Sequence, residues 1–326
     1  MPSQEPLTMN PLGKTRLSVS NLCFGTSGLG SMPDTYGYAV DAQRAHATVK
    51  AIFAGPVNFL DSSRIYGEGR SEQRVGDVIR EQGGLPKWFV VSTKLDRDFV
   101  TGRFDAARAR RSLEESLKAL GLDRIAVMHL HDPERCASLA EATDPRGPIA
   151  ELFKMKAEGL VEAVGLAAGP VDVMMPLLKD WDFDCLITHN RYTLVNRNAE
   201  PMIDFAVAKG MAVLNAAPYA GGVLAKGARD FKRYVYGEAS DAALAPIRQV
   251  EQICARHGIP TGAAALQFST RDKRITSTIC GVTKPERVQE TLEWANWPIP
   301  DEAWAELKTV PVSAADPEAG RDYKSG

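Results

Sequence analysis

The sequence predicts a single (β/α)8 TIM barrel preceded by a short N-terminal hairpin. Three observations carry that reading. Eight short runs of β-branched and apolar residues alternate with longer amphipathic stretches, the pattern that builds a parallel sheet with helices outside it. No linker-like stretch interrupts the 326 residues, and single barrels routinely exceed ~250 residues. A doubly wound sheet would need a G-x-G-x-x-G turn after an early strand. The nearest candidate, Gly25/Gly28/Gly30, is spaced G-x-x-G-x-G instead.

Taken in order, the chain opens with a polar start, and residues 12–18 are expected to form the hairpin. Strands are predicted over 22–26, 57–61, 89–94, 125–131, 163–167, 185–190, 212–217 and 278–282. The helices between and after them are predicted over 41–54, 71–80, 104–120, 148–158, 171–179, 199–208, 243–257 and 285–294. Ala109, Leu113, Leu117 and Leu120 recur at helical spacing in the third of these. Two segments break the rhythm. Residues 221–240 form a long connection after the seventh strand, rich in Gly, Lys, Arg and Tyr, and connections of this length are often functional. The tail, 313–326, is rich in Ala, Asp, Pro and Gly and is expected to be loosely ordered. The expectation is therefore one domain over 1–326, with its core about 12–310.

Composition removes several function classes. A formal net charge of -2, with no block of like charges, lacks the basic footprint of a nucleic-acid binder. Cys23, Cys136, Cys185, Cys254 and Cys280 are scattered, odd in number and without a C-x2-C pair. They predict reduced thiols rather than a disulfide framework or a thiolate metal site. No cationic start precedes an apolar run, and no stretch reaches the ~18 apolar residues of a membrane span. A cytoplasmic protein without membrane or nucleic-acid partners is expected, as a monomer or homo-oligomer.

In a barrel of this kind, catalytic groups sit at the carboxyl ends of strands. Asp61 closes the second predicted strand, and Tyr66 follows in Asp-Ser-Ser-Arg-Ile-Tyr-Gly. Lys94 closes the third, in Val-Val-Ser-Thr-Lys, and His131 the fourth, in Met-His-Leu-His-Asp-Pro. Reduction of a carbonyl by hydride needs a proton donor beside the oxygen, and the reverse needs a base. A free tyrosine titrates near 10, so work near neutrality requires lowering it by ~3 units, about 4 kcal/mol. A nearby ammonium favours the phenolate, and a carboxylate can hold that ammonium. An imidazole can orient the carbonyl by a hydrogen bond. Singly, each residue has a plainer reading: a helix cap, a packed aromatic, a solvated strand end, a structural histidine. All four at successive strand ends, in this order, argue for the chemistry.

With these residues in place, the sequence resembles the aldo-keto reductase family over about residues 12–295. The stretches Phe-Leu-Asp-Ser-Ser-x-x-Tyr-Gly, Ser-Thr-Lys and His-Asp-Pro match its tetrad motifs. The resemblance implies Tyr66 as general acid/base, Lys94 as the group that lowers its pKa, Asp61 as the lysine's partner and His131 as the substrate-orienting residue. Gly76, Arg191-Tyr192 and Pro285-Glu286-Arg287-Val288 are further matches. It also implies nicotinamide contacts at Gly25, Thr26, His189, Pro218, Gly221, Gly222, Gly281, Val282, Lys284 and Arg287. Three positions depart from the family pattern. A Ser-Asn pair after the fifth strand is replaced in the run Gly165-Leu166-Ala167-Ala168-Gly169, a glutamine by His189, and a stacking aromatic by Ala216. That pattern is similar to the branch of aldose 1-dehydrogenases (D-threo-aldose, L-fucose, L-galactose) and pyridoxal 4-dehydrogenase. Where NADP-preferring relatives carry Lys-Ser, this chain has Gly281-Val282, leaving Lys284 and Arg287. Fewer charge-assisted contacts to a phosphate dianion favour NAD over NADP, with oxidation as the working direction. The expected partner is a small carbonyl or sugar substrate, at a mouth drawn from Trp88, Tyr219 and Tyr234, with His129, Tyr192 and Arg233 to Tyr236 as further candidates.

Four rival readings stay open at this point. His129 and His131 share one strand face and could ligate a metal, though no second histidine motif accompanies them and no metal is expected. Lys94 could form a Schiff base, which leaves Asp61 and Tyr66 unexplained. A non-catalytic, cofactor-binding barrel subunit is the third, and a general aldehyde/ketone reductase using NADPH is the fourth.

Overall fold

The computed structural model describes residues 7–137 and 139–320. Eight parallel strands close into a barrel, the eighth bonding back to the first. They are β1 (Leu22–Gly25), β2 (Phe59–Asp61), β3 (Val90–Leu95), β4 (Ile125–His131), β5 (Val161–Ala167), β6 (Cys185–His189), β7 (Ala212–Ala216) and β8 (Ser277–Gly281). The helices that wrap it are α1 (Ala42–Phe53), α2 (Arg70–Glu81), α3 (Ala106–Leu120), α4 (Pro148–Ala157), α5 (Val171–Asp180), α6 (Glu200–Ala208), α7 (Thr261–Thr270) and α8 (Pro285–Ala295).

Local chemistry sets the ends of these elements. Asp41 caps α1 by accepting from the Arg44 backbone N–H at 2.7 Å, and Asp105 caps α3 the same way through Arg108 at 2.8 Å. Pro148 opens α4, where its missing N–H would be unpaired in any case. The alternation of β-strand side chains divides the core in two. Cys23, Phe59, Val127, Ala163, Cys185, Leu214 and Ile279 fill the barrel, while the intervening residues pack outward against the helices.

The hairpin lies where the sequence placed it, with residues 12–17 as the turn between antiparallel Met9–Pro11 and Ser18–Ser20. It stoppers the N-terminal end of the barrel. Leu12 and Val19 are fully buried with Phe59 and Val127, and Asn10 donates to the Thr276 carbonyl at 2.8 Å. Ligand access is thereby confined to the opposite mouth.

Two expectations are corrected, for the seventh helix and the tail, and the long connection takes a definite form. The predicted seventh helix exists as Asp241–Arg256, but the helix packed on the sheet after β7 is α7, which periodicity did not reveal. Seven of its ten residues are buried (Gly262 to Gln267, and Ser269), so it carries no polar stripe to betray it. The long connection is ordered: a short helix, Val223–Lys226, then a tight hairpin of Arg233–Tyr234 with Gly237–Glu238. Arg233 ties it to the β1–α1 loop by donating to the Thr35 carbonyl at 3.2 Å. The tail is not loose over 313–320. Arg197 N–H donates to the Ser313 carbonyl at 2.8 Å, and Arg191 pairs with Asp316 at 2.6 Å and Glu318 at 3.1 Å. Residues 321–326 lie outside the described residues.

Gly76 allows α2 and α3 to touch: a Cβ there would sit 1.9 Å from the Ala119 carbonyl oxygen. Gly76→Ala is expected to lower stability by about 1–3 kcal/mol through overpacking. At Gly237 nothing lies within 4 Å of a Cβ, and Gly237→Ala is expected to change stability by less than about 0.5 kcal/mol. Urea denaturation midpoints of the two variants check this; equal midpoints would refute the close packing.

Candidate active site

β2 delivers Asp61 to the mouth with its neighbours in register, Gly25 on one side and Ser92 on the other. Ser92 Oγ donates to Asp61 Oδ1 at 3.0 Å, and Lys94 Nζ donates to Asp61 Oδ2 at 2.7 Å and to the Ser62 carbonyl at 2.5 Å. The ion pair is almost wholly out of water, with side-chain exposure of 2% for Lys94 and 6% for Asp61. Two isolated charges would not stay ionised there, so each depends on the other.

Tyr66 stands on the turn after β2, where Gly30 crosses so closely that a Cβ would lie 2.8 Å from the Tyr66 carbonyl group. The Lys94 ammonium lies 4.8 Å from the centre of the Tyr66 ring. The phenol is pushed well above its ordinary range, first by burial and then by the Asp61 carboxylate. The lowered phenol pKa that the sequence implied is therefore not the state of this structure; Tyr66 stands as a neutral proton donor.

His131 closes β4 and meets the Tyr66 ring edge-on, with centroids 5.9 Å apart. Its Nδ1 lies 2.6 Å from Oδ1 of Asp96, a fully buried carboxylate. The other oxygen of Asp96 accepts from Ser63 Oγ at 2.7 Å and from the Ile65 N–H at 2.9 Å. Burial opposes a charge on His131, but the carboxylates of Asp132 and Asp96 outweigh it and raise the imidazole. Asp132 sits in the left-handed region at φ 43, which brings its Oδ1 to 3.7 Å from His131 Nε2.

The catalytic candidates line a cavity of about 560 Å³. Asp61, Tyr66, Lys94 and His131 are brought together there with His189 and Tyr219. The same cavity is lined by Gly25, Gly221, Gly222, Gly281, Lys284 and Arg287, six of the ten expected cofactor residues beside His189. Arg44, Lys226 and Arg233 add cations to the lining, where the only carboxylates among the described residues are Asp61 and Asp132. Lys284 begins α8 without a side-chain cap, leaving first-turn N–H groups for an anion. Arg287 pairs with Glu290 and rests on the Trp294 ring. An anionic dinucleotide fits this donor set.

Other expected residues lie elsewhere. Thr26 is a strut: its Oγ1 donates to the Asp61 carbonyl at 3.0 Å. Pro218 and Val282 are buried but do not line the cavity. Trp88 precedes β3, at the far end of the barrel, and is 52% exposed, so it is removed from the substrate wall. Tyr234 packs against the outer core, while its neighbours Arg233, Val235 and Tyr236 reach the cavity. Tyr192 donates to Asp272 at 2.5 Å and packs against Phe268, outside the mouth. His129 is buried inside the barrel below Lys94 with both nitrogens lacking a hydrogen-bond partner. Among the described residues, no group of three or more His, Cys, Asp or Glu could hold a metal ion.

Sequence reasoning missed Tyr36, Tyr38 and Arg44, which come from the loop and helix after β1, and Asp96. For Asp96 a signal existed. Residues 94 and 96 fall on the same face by strand alternation, so a carboxylate two residues beyond Lys94 was a candidate from the outset.

Behind Lys94, Glu72 of α2 accepts from Thr93 Oγ1 at 2.6 Å. Its carboxyl is pushed up to about 7 by burial, against an ordinary 4.5. The folded chain therefore holds a proton that the unfolded chain has lost, and this site's contribution to stability falls as pH rises from about 4.5 to 7. Glu72→Gln is expected to be indistinguishable from wild type near pH 4 and about 3 kcal/mol more stable near pH 8. Denaturant midpoints at the two pH values check the sign; a variant less stable near pH 8 would contradict it.

Residues 21–311 match the Aldo/keto reductase family. A pyridoxal 4-dehydrogenase from Microbacterium luteolum is 28% identical, over 91% of this chain and 96% of its own length. A D-threo-aldose 1-dehydrogenase from Pseudomonas sp is 30% identical, over 89% of this chain and 94% of its own. In fold the chain is similar to an aldo-keto reductase from Bacillus halodurans in its holo form, with TM-score 0.77 and 19% identity across 97% of this chain and 100% of that one. The barrel, the four groups gathered at its open mouth and a match that runs nearly from end to end agree: this chain belongs to the aldo-keto reductase family of oxidoreductases.

Proposed function

We propose that this oxidoreductase oxidises an aldose of the D-threo-aldose or L-fucose type at C1, or pyridoxal to its lactone, with NAD as the preferred cofactor. The observation that carries the reading is a single cavity lined both by the acid–base groups and by the cations Arg44, Lys226, Arg233, Lys284 and Arg287. When bound there, the nicotinamide supplies the hydride-accepting carbon. Gly221, Gly222, Lys226 and Arg233 are placed to take the pyrophosphate, and Gly281, Lys284 and Arg287 the adenosine half. His189, whose Nε2 lies 3.0 Å from the Glu318 carboxylate, is the polar group that would hold the carboxamide.

Within the cavity, Tyr66 and His131 bracket the reacting oxygen. Lys94, fixed by Asp61, supplies the positive charge that steadies oxygen as its proton leaves. Asp132 projects a carboxylate into the same space, a natural acceptor for sugar hydroxyls. The apolar wall of Ala167, Ala168 and Ile187 opposite suits the carbon face of a small ring. The relatives named for a D-threo-aldose and for pyridoxal support both substrate classes.

A second reading, reduction of aldehydes and ketones with NADPH, is favoured by one observation. Arg44 joins Lys284 and Arg287 in the cavity lining and restores a cation that the Gly281-Val282 substitution took away. A cofactor-binding barrel without turnover is the third, and it assigns no task to the buried Asp61–Lys94 pair beside Tyr66.

Absorbance at the reduced-nicotinamide wavelength, with NAD and NADP offered separately against aldoses, pyridoxal and simple aldehydes, tests the reading. Turnover of a sugar or pyridoxal with NAD above NADP is expected. Tyr66→Phe should lower kcat about 100-fold, the usual contribution of a placed acid–base group, while NADH affinity by fluorescence is retained. Undiminished oxidation in the variant would refute the assignment of Tyr66. Silence across the panel despite cofactor binding would support the non-catalytic barrel.

A further inference from the structure

Three consecutive residues at the end of β6 converge on one carboxylate from far along the chain. Asn190 takes the left-handed backbone at φ 59, a conformation open to asparagine because its short side chain bonds locally. The turn places His189, Asn190 and Arg191 around Glu318. Glu318 Oε1 accepts from Asn190 Nδ2 at 3.2 Å and from Arg191 Nη1 at 3.1 Å. The same carboxylate oxygen lies 3.0 Å from His189 Nε2, and the Glu318 side chain is only 6% exposed. A charge so withdrawn from water persists only where donors surround it.

The strap that carries Glu318 is fixed by other groups. The Ser313 N–H donates to the Val195 carbonyl at 3.0 Å, and the Ser313 carbonyl accepts from the Arg197 N–H at 2.8 Å. Asn198 Nδ2 donates to the Ala314 carbonyl at 2.8 Å, and Asn196 Nδ2 to the Ala315 carbonyl at 3.0 Å. Asp316 Oδ1 accepts from Arg191 Nη2 at 2.6 Å and from the Glu318 N–H at 2.8 Å. Gly169, just beyond β5, leaves the room that Arg191 fills, since a Cβ there would lie 3.1 Å from the guanidinium. Glu318 therefore meets His189 at a point set by the rest of the strap.

We propose that Glu318 is a positioning residue for the cofactor: it holds the hydrogen of His189 on Nε2 and so presents Nδ1 as an acceptor for the carboxamide N–H of the nicotinamide. This rests on the nicotinamide reading of the cavity that His189 lines. An ionised carboxylate accepts and does not donate, so the imidazole nitrogen beside it carries the hydrogen. In the neutral ring the other nitrogen is then a lone pair that accepts and cannot donate. Without the carboxylate both tautomers are open, and the ring presents a donor in one of them. A fixed acceptor selects an amide over a ketone at that position, because only the amide has an N–H to give. The strap thus reaches the cofactor through His189 without itself lining the cavity.

Histidine nitrogen-15 NMR on the chain without cofactor tests the arrangement first, with His189 assigned by its loss in His189→Gln. The neutral ring is expected as the Nε2–H tautomer in wild type and as a mixture in Glu318→Ala. Isothermal titration calorimetry with NAD and with its 3-acetylpyridine analogue, in which a methyl ketone replaces the carboxamide, reads the consequence. Wild type is expected to bind NAD about 5–10-fold tighter than the analogue, the worth of one hydrogen bond. Glu318→Ala is expected to lose most of that preference. Asp316→Ala removes the other carboxylate on Arg191 without touching His189, and is expected to keep it. An Nδ1–H tautomer in wild type overturns the proposal whether or not the variants fold. An equal loss of preference in Asp316→Ala overturns it too, because a strap that merely braces the barrel predicts that result. If neither dinucleotide binds wild type, the cofactor reading of the cavity fails and the carboxamide contact with it; the tautomer then still decides whether Glu318 sets the His189 ring.

Discussion

The buried ion pair between Asp61 and Lys94 is the constraint on which the rest of the site depends. Two charges withdrawn from water cost several kcal/mol each unless they meet in good geometry with their remaining valences filled. Here Ser92 and the Ser62 carbonyl complete the set. That arrangement requires β2 and β3 in one register, with residues 61, 92 and 94 on the inner face. A slip of one residue would turn all three side chains outward. The same pairing fixes the turn after β2, because Ser62 and Ser63 are committed to Lys94 and Asp96 before the chain reaches Tyr66. Catalytic geometry and strand register are thus one property of the molecule.

Around this pair, carboxylates, an imidazole, a phenol and several cations line one cavity. Segments distant in sequence cover the mouth. The hairpin after β7 reaches the β1–α1 loop through Arg233, and residues 313–320 strap the end of β6 through Glu318 and Asp316. The stopper of Leu12 and Val19 at the other end keeps the interior dry, which strengthens every electrostatic contact above it.

Much of this was legible in the sequence, and the failures have physical causes. The strands were readable because each is a short, largely apolar run, and Asp61, Lys94 and His131 close three of those predicted. α7 was hidden because burial on all sides erased its periodicity. The 313–320 strap was hidden because its order comes from Arg191 and Asn198, over a hundred residues away, rather than from its own composition. Trp88 was misplaced because an aromatic beside a strand does not tell which end of the barrel it faces; it precedes β3 and so belongs to the closed end. Asp96 was readable from strand alternation and was passed over in favour of the residues beside it.

The most direct test of this account is a double-mutant cycle on the ion pair, with stability and turnover measured on Asp61→Leu, Lys94→Met and the combined variant. Each single change strands a buried charge and is predicted to destabilise by about 3–5 kcal/mol, while the combined variant recovers most of that loss. Turnover is predicted to be lost in all three. Single variants as stable as wild type, or a combined variant that still turns over, would show that the pair neither braces the barrel mouth nor powers its chemistry.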